Sequence, residues 1–128
     1  PINQKPATHT TVIGALRGNG TVTQNDGIAI ERVAVPGSLP GPVNAIQART
    51  ADSPLAWMDG WLFFVSAKSE KPHAGLLGQF CYAKITGGPA VLATVRRGYA
   101  EGEYALSGPY TCERARIESA TPVLLVKP

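Results

Sequence analysis

The fold is indicated most clearly by one stretch of the sequence, Lys84-Ile85-Thr86-Gly87-Gly88-Pro89-Ala90-Val91. Its two adjacent glycines can adopt the positive φ angles that a tight turn between antiparallel strands requires. On the approach to the turn, every second residue is apolar (Cys81, Ala83, Ile85), which is the period of a half-buried strand. The stretch therefore predicts a β-hairpin.

The rest of the chain shows the same organisation, with short apolar runs separated by turn-forming residues. It contains 14 glycines and 11 prolines among 128 residues, and both residue types are unfavourable inside helices. No segment shows helical periodicity beyond one turn near Leu55–Met58. We therefore predict an all-β fold of about eight or nine strands in closely coiled, mostly antiparallel sheets. The predicted strands are Thr10–Leu16, Gly27–Val35, Val43–Thr50, Trp61–Ala67, Leu76–Ile85, Ala90–Arg96, Glu103–Leu106, Arg114–Glu118 and Pro122–Val126.

Length and composition predict one globular domain. Apolar residues make up 44% of the chain and charged residues 16%, a balance that excludes a disordered chain and a coiled coil. Residues 1–9 are polar with two prolines and are predicted to be an arm or linker before a single domain at 10–128. The longest apolar run, Trp61–Ala67, is too short to cross a membrane. With no signal peptide of the usual type, we expect a cytoplasmic protein.

The basic residues do not form a nucleic-acid-binding pattern. The formal net charge is +3, but lysines and arginines are scattered along the chain. The densest group is Arg96 and Arg97 with Arg114 and Arg116, which we interpret as a solvated surface.

The cysteines and histidines have no spacing typical of a metal site. Cys81 and Cys112 lie far in sequence from His9 and His73, so we predict no metal and no cofactor. Two free thiols are expected, although the spacing does not exclude a disulfide.

The ordered set of motifs resembles the C-terminal domain of LexA and lambda-type repressors, whose fold is shared in part with signal peptidases. A serine in Asp52-Ser53-Pro54 precedes Met58-Asp59-Gly60 and the apolar stretch Trp61–Val65. A strand, the glycine hairpin and the return strand Val91–Tyr99 follow, and the chain then ends with Tyr104–Ser107 and the apolar stretch Ala120–Val126. The resemblance covers the chain from about Val12 to Lys127. It implies a domain in which a serine attacks a peptide bond of its own chain and an uncharged lysine removes the proton of the serine.

Carried over to this chain, the resemblance implies that catalysis has been lost. Ser53 occupies the serine position, and the lysine position falls on Thr94, or on Arg96 if the return strand is shifted by two residues. Threonine has no basic group and arginine stays protonated, so neither can act as the base. The cleavage segment falls near Arg17-Gly18, where the usual Ala-Gly bond is missing. Without a base, Ser53 is expected to serve turn geometry.

Lys84 is the alternative base, displaced from the usual position. Simple pairing about Gly87-Gly88 sets Lys84 opposite Val91, on the other strand face from Cys81 and Thr94. We therefore interpret it as a solvated strand lysine.

Aromatic residues are concentrated between Trp57 and Phe64. Because neighbouring strand residues point to opposite faces, Phe63 and Phe64 cannot both enter one core. One of the pair, together with Trp57, must be covered by a partner subunit or by the N-terminal arm. We predict that Trp57, Trp61, Phe63 and Phe64 form the interface of a homodimer.

The resemblance thus implies a regulatory and dimerisation domain of a phage-repressor-like transcriptional regulator. It would bind DNA only through a separate helix-turn-helix module, which these 128 residues do not contain. The chain would be part of a longer repressor or a stand-alone relative. Two alternatives stay open, an active self-cleaving peptidase with a displaced base and a module that binds a peptide or small ligand.

Overall fold

The all-β prediction is confirmed by the computed structural model, which describes residues 9–24, 31–37, 39 and 41–128. Within these ranges the longest helices are two 3₁₀ turns of three residues, Ala56–Met58 and Ala74–Leu76, and none is long and apolar enough to cross a membrane. The ten strands are β1 His9–Leu16, β2 Thr21–Gln24, β3 Arg32–Ala34, β4 Val43–Ala48, β5 Leu62–Ser66, β6 Phe80–Ile85, β7 Ala90–Arg97, β8 Tyr104–Ser107, β9 Cys112–Ala115 and β10 Ile117–Lys127.

The predicted elements differ from the observed ones in four places. The strand predicted at Leu76–Ile85 begins only at Phe80, because Leu76 ends the second 3₁₀ turn. The strand β2 was not predicted, because the sequence TVTQ is short and mostly polar. Only the end of the predicted strand Gly27–Val35 is observed, as β3, and residues 27–30 lie outside the described ranges, as do residues 1–8 of the predicted arm. The last predicted strands become a short β9 and one continuous β10 that passes through Pro122.

Seven of the strands form a partly closed ring. Their order is β2-β1-β4-β5-β10-β6-β7, and β2 pairs again with β7 through Thr21–Val91 and Val22–Ala90. All of these pairings are antiparallel except β1 with β4. The strand β10 changes partner at Pro122, pairing with β6 up to this residue and with β5 from Val123 onward. Proline has no N–H for a ladder, so it is tolerated at this changeover.

Apolar side chains pack both inside and outside this ring. The inner cluster contains Leu16, Val22, Ile46, Ala48, Met58, Phe63, Val65 and Leu92. On the outside, a second cluster lies between β6, β7, β10 and the extension β8-β9, and it includes Cys81, Val91, Val95 and Leu106. A third, smaller cluster surrounds Phe64. Parts of the sheet are thus covered on both faces, which explains the consecutive apolar residues of β5 and β7.

The glycine hairpin is confirmed, but its register differs by one residue from the simple pairing. Lys84 pairs with Ala90, not with Val91. A two-residue turn would need an N–H from Pro89, which proline lacks. The turn is instead closed by bonds from the Ile85 N–H to the Pro89 carbonyl (3.1 Å) and from the Gly88 N–H to the Ile85 carbonyl (3.0 Å).

This change of register moves Lys84 to the face that carries Thr94. Phe80 pairs with Thr94 and Lys84 with Ala90, and residues 80, 82 and 84 share one face of β6. Cys81 lies on the opposite face. The expectation that Lys84 and Thr94 lie on opposite faces was therefore wrong.

Candidate functional site

The loop after β4 positions Ser53. Thr50 is buried, and its hydroxyl donates a hydrogen bond to the Leu55 carbonyl (2.7 Å). The Thr50 backbone N–H donates to Asp59 Oδ1 (2.8 Å), which ties the start of the loop to the end of the 3₁₀ turn. These two bonds hold residues 50–59 as a closed loop.

Both hydrogen-bonding functions of the Ser53 hydroxyl are used inside this loop. Its Oγ donates to the Thr50 carbonyl (2.8 Å) and accepts from the Leu55 N–H (3.1 Å). This is the local side-chain-to-backbone pattern by which serine stabilises turns. The geometry is that of a turn-forming serine, and neither hydrogen bond comes from a side chain that could act as a base.

The turn between β1 and β2 lies directly against Ser53. A Cβ atom built on Gly18 would lie 2.3 Å from the Ser53 Cβ and 2.7 Å from its Oγ. The turn itself is closed by a bond from the Gly20 N–H to the Arg17 carbonyl (2.9 Å). The structure therefore brings the predicted cleavage segment and the serine position together.

The same turn also contacts β7, on which the predicted base positions lie. The Leu92 N–H donates to the Gly20 carbonyl (3.2 Å). Thr94 is half-buried within the sheet, where it pairs with Phe80 and Ser107, and the Arg96 Nε donates to the Ser107 hydroxyl (3.1 Å). No residue of β7 lines the open cavity of about 490 Å³ around Ser53, whose described lining is Gly18, Arg49, Thr50, Ala51, Asp52, Ser53 and Asp59.

Lys84 is held by the hairpin rather than by Ser53. Its Nζ donates to the carbonyls of Gly88 and Ile85, the latter at 3.3 Å. It lines a different cavity, at the opening of the ring near β2 and β10. The structure does not bring Lys84 and Ser53 into one site.

The predicted interface residues divide into two groups. Phe63 is buried in the inner cluster. Phe64 is buried in the third cluster, beneath apolar residues of the same chain, chiefly Val33, Val35, Leu39, Leu62 and Leu125. Trp61 is half-buried and packs on the inner cluster. Trp57 contacts Trp61 edge-on, with ring centroids 5.2 Å apart, and is 65% exposed. Only Trp57 of the four offers a large apolar surface to a partner.

Shifted pKa values occur at a buried thiol and at a surface ion pair. Cys81 and Cys112 are both free thiols, and burial raises the pKa of the Cys81 thiol from 9.0 to about 11, with a smaller contribution from Glu70. Arg114 lowers the pKa of the Glu103 carboxyl by hydrogen bonding to it. In the part of the chain that the structure describes, no group of three or more His, Cys, Asp or Glu side chains is placed to hold a metal ion.

The chain matches no protein-family model and no curated protein sequence.

Sequence reasoning missed two parts of this geometry. The roles of Thr50 and Asp59 in closing the Ser53 loop were not predicted, although both residues flank the serine motif. The cavity at the ring opening was not predicted either, because it depends on the closure of the ring by the unpredicted strand β2.

Proposed function

We propose that this chain is the regulatory and dimerisation domain of a phage-repressor-like transcriptional regulator. In this proposal the domain is a relative of the LexA-type self-cleaving domains that has kept their architecture and lost their catalysis. The observation that carries the proposal is the contact of Gly18 with Ser53, since it joins the cleavage-segment position to the serine position, and no lysine is among the described residues that line the cavity there.

The hydrogen bonding of Ser53 supports the loss of catalysis. A serine hydroxyl is a weak nucleophile unless an adjacent base removes its proton. Here the Ser53 proton is directed to the backbone carbonyl of Thr50. The side chains at the family's lysine position, Thr94 or Arg96, do not line the Ser53 cavity and have no useful basic function.

Exposed apolar residues on the last part of β10 and in the loop before β5 support dimerisation. Leu124 and Val126 of β10 are each 36% exposed, and Trp57 is more exposed still. Lys127 pairs with Leu62, the residue after Trp61, so the end of β10 and the tryptophans lie at the same end of the sheet. We call Trp57, Leu124 and Val126 the end patch.

The backbone of β10 adds a second reason for association at the end patch. Among the described residues, only β5 pairs with Val123–Lys127, which leaves the other edge of this segment without a ladder partner. An open strand edge next to apolar side chains is a template for pairing with a second chain. Dimerisation through the end patch would cover both.

Contacts within the chain support the part of the proposal in which this domain does not itself bind DNA. Arg114 is held by the Glu103 carboxylate at 3.0 and 3.2 Å, and Arg96 by Ser107. Two arginines of the densest basic group are thus engaged by their own domain. In this proposal, a helix-turn-helix module elsewhere in the regulator binds the DNA.

A repression assay tests the proposed function. The chain is fused to a DNA-binding domain that occupies its operator only as a dimer, and expression of a reporter gene is measured. We expect repression by the wild-type fusion and a loss of repression in the Trp57→Ser fusion. Tyr99→Ser is the matched control, because Tyr99 is 96% exposed but lies outside the end patch, in the β7–β8 loop. A folded wild-type fusion that does not repress, or equal effects of the two substitutions, would contradict the proposal.

A further inference from the structure

A cavity of about 420 Å³ lies at the opening of the ring, away from Ser53 and the end patch. Its walls come from β2, β6, β7 and β10, with Ser69 from the segment after β5. Val22 belongs to the inner cluster, and Tyr82 and Ala90 pack against it. The cavity is therefore one end of the ring interior. Its volume is in the range of small-molecule sites in proteins.

The lining has one charged side chain, Lys84, and no carboxylate among the described residues. The Lys84 ammonium donates to the carbonyls of Gly88 and Ile85. An ammonium group has three N–H donors, so one donor is left for a ligand. The two carbonyls also hold the long side chain in place, which reduces the conformational entropy lost when a ligand binds.

Hydroxyl groups line the same cavity as this ammonium. Thr121 is only 4% exposed, yet within the described ranges its hydroxyl makes no hydrogen bond, and the same is true of Ser119. Both residues line the cavity and neither oxygen is a buried atom, so their hydroxyls are open to a ligand as donors. Burial raises the pKa of the Tyr82 phenol, which therefore keeps its proton at neutral pH, and Gln24 hydrogen bonds to it.

Apolar groups complete the lining. Val22, Pro89 and Ala90 present carbon surface beside the polar groups. A ligand that fits this arrangement has a negatively charged oxygen group for Lys84 and the hydroxyls and a short apolar body for these three residues.

We propose that this cavity is a binding site for a small organic carboxylate. Lys84 and the hydroxyls of Ser119 and Thr121 hold the carboxylate group, while Val22, Pro89 and Ala90 contact the apolar body. The site does not depend on the proposed role in dimerisation, because none of its residues belongs to the end patch.

The test uses benzoate as the probe, with benzyl alcohol and benzylamine as neutral and cationic analogues of similar shape. Binding is followed through backbone amide shifts in ¹H–¹⁵N NMR spectra of the ¹⁵N-labelled domain. We expect benzoate to shift the amides of β6, β7 and β10 around residues 82–90 and 119–121, and to bind more tightly than either analogue. No saturable shifts with benzoate, or equal binding of benzyl alcohol, would overturn the proposal.

Two substitutions locate the site. Lys84→Met should weaken benzoate binding by about 10- to 100-fold, the range expected for a hydrogen bond to a charged group. Lys127→Met removes the same charge at the other end of β10 and should leave the affinity unchanged. Because Lys84→Met also loosens the hairpin, Thr121→Val provides a second variant that keeps the side-chain shape, and it should weaken binding several-fold. Unchanged affinity in both Lys84→Met and Thr121→Val would overturn the assignment.

Discussion

The contact between Gly18 and Ser53 can be tested by a double-mutant cycle. An alanine at position 18 would place its Cβ 2.3 Å from the Ser53 Cβ, well inside the contact distance of two carbon atoms. The Ser53 side chain would have to move, but its hydroxyl is held by two hydrogen bonds to the backbone. The loop therefore cannot make room for the added Cβ at low cost. We expect Gly18→Ala to lower the free energy of unfolding by about 1–3 kcal/mol, the usual cost of overpacking.

The second substitution distinguishes this contact from a general effect of alanine in a turn. Ser53→Gly removes the Cβ that causes the clash, whereas Ser53→Ala keeps it. Each lost Ser53 hydrogen bond costs about 0.5–1.5 kcal/mol in either variant. Gly18→Ala should therefore lower the free energy of unfolding by a smaller amount in a Ser53→Gly background than in a Ser53→Ala background. The difference should be about 1 kcal/mol or more.

Urea denaturation of the wild type, the three single variants and the two double variants gives these free energies. Gly88→Ala serves as the control, since it lies in the β6–β7 hairpin and should combine additively with Ser53→Gly. If Gly18→Ala is neutral, or if it costs the same in both Ser53 backgrounds, the β1–β2 turn does not pack on Ser53 as described.

Three further predictions concern catalysis, titration and the core. The wild-type domain should remain intact after long incubation at about pH 10, because none of the described residues around Ser53 is placed to act as its base. Fragments cut between residues 16 and 20 in mass spectra of the wild type, and absent from Ser53→Ala, would contradict this. Burial raises the pKa of Cys81 from 9.0 to about 11, so the stability that comes from burying the neutral thiol is present below pH 9 and is lost as the pH rises toward 11. In urea titrations over that interval, Cys81→Ser should lose less stability with pH than the wild type. An equal slope in the two proteins would refute the assignment. Phe64→Ala should lower the free energy of unfolding by about 3–5 kcal/mol in the same assay, and a loss under 1 kcal/mol would mean that Phe64 is not buried by its own chain.

The sequence predicted the local features of this fold better than its long-range ones. The positions of β1, β4, β5, β7 and the glycine hairpin follow from apolar alternation and turn residues, which act over a few positions. The short strand β2 has little apolar signal of its own, and it forms because β1 and β7 lie on either side of it. Tertiary pairing of this kind leaves no local pattern in the sequence.

The candidate site was likewise predicted only where its features are local in sequence. The turn geometry of Ser53 was expected from Asp52-Ser53-Pro54, and the hydrogen bonds at its hydroxyl agree with it. The cover over Phe64 was not predicted, because Val33 and Leu39 reach it from a distant part of the chain. The register of Lys84 depended on the missing N–H of Pro89, a chemical detail that simple pairing about the glycines ignores.

Sedimentation equilibrium of the purified domain tests the proposed dimer most directly. The chain has a mass of 13.4 kDa, and we expect the wild type to sediment at twice this mass at high concentration. Val126→Asp places a charge within the end patch and should shift the equilibrium to the monomer, while Tyr99→Ser should sediment like the wild type. A wild-type mass of 13.4 kDa at the highest soluble concentration would contradict dimerisation through the end patch.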